Sequence, residues 1–318
     1  MKAFKEFYGV NQLNQMVTTG KIKESIHLSE TMHEHMLSEI SNKIAERKPT
    51  RLILIAGPSS SGKTTTSKRL ALHLRVDDLN PIVLELDNYF LERDKSPKLP
   101  NGEYDFESLY AMDLPFLNKQ LHQLFDGEEV EIPKYDFHQG KRVFTGEKLQ
   151  LGESDILIME GIHALNPELT STISREQKFL LYIEPMSELA VSKDDNVSSY
   201  DMRLLRRMTR DNLFRGTSPI ETIRRWPSVR MGEIHNIYPF KENADAYFNT
   251  FSTYEVPLLK CYIEPLLMGI PECSDGYEEV QRILGFLNKL VPLTPTDITA
   301  VPPTSIMREF IGGSSFDY

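Results

Sequence analysis

Cysteine is scarce in the 318 residues: only Cys261 and Cys273 occur, and they form no paired redox or metal-ligand motif. Their expected state is reduced, in a reducing compartment. No apolar run approaches the ~18 residues that a membrane helix needs, and no apolar leader opens the chain. The expectation is a cytoplasmic protein without a membrane partner. Positive charge is in deficit, with 36 Lys and Arg against 46 Asp and Glu and a net charge of −10. Nucleic-acid binders release counterions with a basic surface, so no nucleic-acid partner is expected. Internal repeats and low-complexity tracts are lacking too. What remains is ordinary globular composition, 40% hydrophobic and 26% charged. The length suits one large α/β domain or two modest ones.

Against that background one stretch stands out, RLILIAGPSSSGKTTTSKR from Arg51 to Arg69. A short β-branched apolar run leads into Gly57, Pro58, Ser59, Ser60, Ser61, Gly62, Lys63 and Thr64, which fit G-x-x-x-x-G-K-[ST]; Thr65 follows as the helix opens. Backbone N–H groups of such a loop converge on phosphate oxygens, and the helix N-terminus adds positive potential. Lys63 is expected to reach the terminal phosphates and Thr64 to hold Mg²⁺. ATP and Mg²⁺ are the expected cofactors. Guanine recognition of the Asn-Lys-x-Asp type is missing, because the Asn-Lys pairs at Asn42, Asn118 and Asn288 never continue to the Asp.

Two further strands end in acids. Ile82–Leu86 runs into Asp87, and Asp155–Met159 into Glu160. Acids just past the carboxyl ends of strands stand where open α/β sheets place their sites. Glu160 suits a second Mg²⁺ ligand, because a hard cation that keeps its waters needs only one or two carboxylates. Downstream of a helix starting at Asp113, Val130–Pro133 reads as a strand. The aromatic and charged run from Tyr135 to Arg142 follows, then a hairpin around Thr145-Gly146-Glu147. This antiparallel piece is the expected acceptor region. Finally, Arg203, Arg206, Arg207 and Arg210 recur at i, i+3, i+4 and i+7, which is one helix face, and nearby in sequence only Asp201 and Asp211 oppose them. That stripe reads as a phosphate contact, since guanidinium forks fit phosphate oxygens.

These residues together resemble the uridine kinase/phosphoribulokinase group of P-loop kinases, and more narrowly the kinase part of bacterial uridine kinase-like proteins. The matching blocks are GPSSSGKTT (57–65), LDNYF (86–90), YDFE (104–107), PKYDF (133–137), MEGIHALNP (159–167), DMRLLRRMTRD (201–211), WPSVRMGE (226–233), the PF-x₃-AD-x-x-FN block (239–249) and REFIGGSSF (308–316). They span about residues 50–318. The resemblance implies a P-loop NTPase fold: a three-layer α/β/α domain with a mostly parallel sheet, a small β-hairpin acceptor region and an Arg-rich lid helix. It also implies ATP-dependent phosphorylation of the 5′-hydroxyl of a nucleoside, uridine or cytidine by preference. Asp87 would be the general base and, with Thr64 and Glu160, part of the metal site. Lys63, Arg203 and Arg207 would act on the transferred group, and Arg206 and Arg210 on the donor. Tyr89, Asp105, Tyr135, Phe137, His138 and Arg142 would meet the acceptor. One departure concerns specificity. The pyrimidine-reading His of familiar uridine-cytidine kinases falls at Gly140, and the nearby His is His138. The expected organisation is a helical lead (1–48), a kinase domain (49–291) and a packed tail (292–318), with homo-oligomer formation left open.

Overall fold

The computed structural model describes residues 9–99, 102–136, 138–187, 189–190 and 196–318. Two helices come first, α1 (Val10–Thr18) and α2 (Ile22–Glu46). Strand β1 (Leu52–Ala56) then enters helix α3 (Lys63–Val76), and β2 (Asn80–Glu85) ends at the turn that carries Asp87. Helix α4 (Leu114–Phe125) precedes the hairpin β3 (Val130–Asp136) and β4 (Lys141–Leu149). After β5 (Asp155–Glu160) and β6 (Lys178–Glu184) come α5 (Ser199–Arg215) and α6 (Pro219–Asn236). The chain closes with β7 (Ala246–Asn249), α7 (Glu255–Met268), α8 (Tyr277–Leu287) and two short turns of helix, α9 (Pro295–Ile298) and α10 (Arg308–Ile311).

The main sheet has the order β2-β5-β1-β6-β7, and every pairing in it is parallel. Parallel strands are covered on both faces, so they read as unbroken apolar runs. The pleat sorts those runs. Ile53 and Ile55 of β1, Ile156 and Ile158 of β5, and Phe179, Leu181 and Ile183 of β6 pack into one core with α2, α3, α5, α7 and α8. Leu52, Leu54 and Ala56, Leu157 and Met159, and Leu180 and Tyr182 pack into the other, with α4 and the hairpin. This is the expected three-layer arrangement.

The N-terminal helices share the first core. Ile22, Ile26, Leu37, Ile40 and Ile44 are buried there, and Glu30 of α2 accepts from Tyr254 Oη at 2.6 Å and from Ser305 Oγ at 2.7 Å. The hairpin departs from expectation. Its turn lies at 138–140, with Lys141 to Leu149 forming one strand. Thr145-Gly146-Glu147 is a bulge instead, where the register slips between the pairs Glu131–Lys148 and Pro133–Phe144. Pro133 opposite the slip and Gly146 within it are the residues a bulge tolerates. Helix α6 runs through Pro227.

Candidate active site

Strands β2, β5 and β1 are neighbours in that order, and their carboxyl ends bring three chain segments together. The loop 57–62 leaves β1, Asp87 leaves β2, and Glu160 ends β5, level with Ile55 and Glu85. The loop needs glycine at its first position, since a Cβ on Gly57 would lie 2.2 Å from the Ile183 carbonyl oxygen. Lys63 folds back over the loop and donates to the Gly57 oxygen at 3.0 Å and the Pro58 oxygen at 3.3 Å. Thr64 Oγ1 donates to Glu160 Oε1 at 2.7 Å.

The carboxylates are tuned by this crowding. Glu160 is buried, and loss of hydration pushes its carboxyl up to about 7; Lys63 pulls it down, while Asp87 and Glu309 add to the rise. Asp87 reaches solvent, yet protein surrounds it closely enough that desolvation raises its carboxyl above the usual range, with Lys63 opposing. Among the described residues no cluster of three or more His, Cys, Asp or Glu is placed to hold a metal. Yet the hydroxyl of Thr64 beside Glu160, with Asp87 in electrostatic reach, fits a hard cation that completes its shell with phosphate oxygens and water. Ser60 Oγ and Ser61 Oγ are buried and unpartnered, two further polar atoms on the anion-binding loop.

The arginine helix differs from its expected role. Ser198 and Asp201 form a capping box that starts α5, so its face is set from the first turn. Arg203 and Arg206 are wholly buried, and neither is short of counter-charge. Glu233 of α6 pairs with Arg203, and Glu255 of α7 with Arg206, whose Nη2 lies 2.7 Å from Glu255 Oε2. Both brace the phosphate loop from behind. Arg203 Nη1 donates to the Ser59 oxygen at 3.2 Å, and Arg206 Nη1 to the Ser60 and Ser61 oxygens at 3.4 and 3.3 Å. Arg207 Nη1 donates to Ser59 Oγ at 2.8 Å, and Arg210 pairs with Asp211. Only the last turn of α5, including Leu213, Phe214 and Arg215, stands exposed. The helix braces the loop, and its last turn is exposed.

The expected acceptor residues divide. Tyr135 lies against Phe90, ring centroids 5.8 Å apart, and its backbone N–H donates to Asn88 Oδ1 at 3.1 Å, tying the hairpin to the Asp87 turn. Tyr89 is buried and its hydroxyl donates to Gln120 Oε1 at 3.0 Å, so it is a core residue. Arg142 turns onto α4, where it meets Asp113 Oδ2 at 2.6 Å and lies over the Phe116 ring. His138 is exposed at the hairpin turn. Phe137 lies outside the described residues. Asp105 holds its own turn by accepting the Glu107 N–H at 3.2 Å. Two residues that the sequence reading passed over enter instead. Glu107 is raised by burial and feels Arg207 and Lys63, and Arg215 acts on Asp87 from the end of α5.

A family model described as "Phosphoribulokinase / Uridine kinase family" matches residues 52–257, more than half of the chain. The chain belongs to that family. Its members are kinases, so the chain is a phosphotransferase with an alcohol group as acceptor. A protein named uridine kinase from Lactobacillus johnsonii is 31% identical over 196 residues, covering 61% of this chain and 83% of its own length. Another of that name from Staphylococcus aureus is 30% identical over 200 residues, covering 62% of this chain and 86% of its own. A solved structure described as a possible uridine kinase from Bacillus stearothermophilus has a TM-score of 0.45 and 20% identity, covering 67% of this chain and 97% of its own.

Two outcomes follow from the kinase's site. Breaking a buried ion pair from one side leaves a bare charge, so Arg206→Met should lower unfolding free energy by about 3–5 kcal/mol in urea melts, and adding Glu255→Met should restore much of it. Burial pushes the Glu160 carboxyl up to about 7. Its charge is then lost as pH falls, so Mg²⁺ affinity measured calorimetrically should weaken from pH 8 to pH 6, and Glu160→Gln should flatten that dependence.

Proposed function

We propose that this kinase transfers the terminal phosphoryl group of ATP to the 5′-hydroxyl of a nucleoside, with uridine and cytidine preferred, giving the monophosphate and ADP. The observation that carries the reading is the convergence of a phosphate loop, a strand-end base at Asp87 and a strand-end acid at Glu160 on three adjacent strand ends. Phosphoryl transfer needs positioning and charge neutralisation more than covalent help. Loop N–H groups and Lys63 hold the donor phosphates. Thr64, Glu160 and Asp87 would hold Mg²⁺, which supplies charge neutralisation at the phosphates when bound. Asp87 accepts the proton of the attacking hydroxyl, and its raised affinity for protons suits that task. Arg207 and Arg215 offer positive charge on the donor side, as Arg210 does beside them. Asp105, whose Oδ1 accepts the Glu107 N–H, and Glu107 offer carboxylates for the acceptor's hydroxyls, and Tyr135 an aromatic face.

One observation favours a second acceptor class. Gly140 sits in the hairpin turn at φ 65°, and a Cβ there would lie 2.7 Å from Arg93 Nε and 2.9 Å from Arg93 Cβ. A base-reading side chain at that position is excluded on both counts. The acceptor's base is read elsewhere, or the acceptor is another sugar-like alcohol. An ADP-release assay over nucleosides and sugar alcohols, with catalytic amounts of protein, decides between them; no release above the protein-free control on any acceptor would sink the kinase reading. Asp87→Asn should lower kcat by about 10²- to 10⁴-fold while nucleotide affinity holds. Undiminished turnover would remove Asp87 from the base role.

A further inference from the structure

The C-terminal segment reaches the head of α3. Its root is fixed: Ile306, Met307 and Phe310 are buried, Ile306 packs against Gly62 of the phosphate loop, and the Arg206 guanidinium lies 5.3 Å from the Phe310 ring centroid. From that root Glu309 extends to Thr65. Its Oε2 accepts from Thr65 Oγ1 at 2.6 Å and faces the Thr65 backbone N–H at 3.4 Å. Beyond Gly312 and Gly313 the chain returns to the same residue. Tyr318 Oη lies 2.9 Å from Thr65 Oγ1, the Lys68 ammonium donates to the Asp317 carbonyl oxygen, and it stands 4.9 Å from the Tyr318 ring. Thr65 is wholly buried beneath these contacts.

Thr65 is where a phosphate should bind. Thr66 N already bonds to the Gly62 oxygen, so Thr65 N is the last donor of the helix start that an anion can take. In a loop of this class the N–H groups at the helix start cradle the inner phosphates of a nucleotide. A carboxylate and a phosphate cannot both hold that donor, and two anions that close repel each other. We propose that Glu309 and the segment after Gly313 form a strap that occupies the innermost phosphate position of the nucleotide site, and that seating of a nucleoside triphosphate or diphosphate requires its release. The carboxylate turns away, and Tyr318 and Asp317 give up Thr65 and Lys68. The strap rests on the reading of this loop as a nucleotide site. It goes beyond that reading by making nucleotide affinity a property of the chain's last residues.

Calorimetric titration of MgADP into the whole protein, Glu309→Gln and a chain shortened by residues 317 and 318 tests this. Removing a competing charge should tighten MgADP binding about fivefold or more in Glu309→Gln, and the shortened chain should move the same way. In the unaltered protein, saturating MgADP should speed hydrogen exchange over residues 313–318, a readout that stands even where a variant fails to fold. Unchanged or weaker binding in both variants, or slower exchange of the segment with MgADP, would overturn the strap; so would absence of MgADP binding in every form. MgADP binding with the expected shifts but no turnover on any acceptor would count against the kinase reading and leave the strap standing.

Discussion

The site depends on two buried arginines that hold the back of the phosphate loop. A glycine- and serine-rich loop between a strand and a helix has little of its own to fix it. Here the carbonyl oxygens of Ser59, Ser60 and Ser61 accept from Arg203 and Arg206, and Thr250 Oγ1 adds a bond of 2.7 Å to the Ser61 oxygen. A trans peptide sends its C=O and its N–H in opposite directions. Carbonyls pinned toward α5 therefore turn the following N–H groups of Ser60 and Gly62 away from it, while the Ser61 N–H is taken by the Pro58 oxygen at 3.2 Å. Glu233 and Glu255 neutralise the two guanidinium groups in the interior, which makes the bracket tolerable in a dry core.

Sheet order does the rest. Because β5 lies between β2 and β1, Asp87, Glu160 and the phosphate loop fall on consecutive strand ends without any long-range loop to place them. The chain's net negative charge is compatible with phosphate binding for the same reason. Oriented N–H groups and local cations such as Lys63, rather than overall charge, would receive the anion.

Much of this was legible in local sequence. The loop, the β5 run into Glu160 and the Asp87 turn each carry their signal within a dozen residues. The two-faced strands are legible as apolar runs. The errors share one cause, which is that partners distant in the chain decide what a side chain does. Arg203 and Arg206 read as an unpaired stripe because Glu233 and Glu255 lie on later helices. Tyr89 read as a pocket residue because nothing local shows Gln120 waiting for its hydroxyl. Gly146 read as a turn because a bulge and a turn ask for the same residue, and the choice is made by the partner strand. Glu107 and Arg215 were in plain view, in YDFE and at the Arg-Gly end of α5. Only the packing shows that one nears Lys63 and Arg207 and the other Asp87.

In the proposed reaction the phosphoryl group passes to an acceptor hydroxyl rather than to water. The most direct measurement follows the label of γ-labelled ATP in the presence of Mg²⁺ and uridine or cytidine. The label should appear in an acid-stable nucleoside 5′-monophosphate, in step with ADP. Label found only in inorganic phosphate, at a rate indifferent to every acceptor supplied, would contradict it.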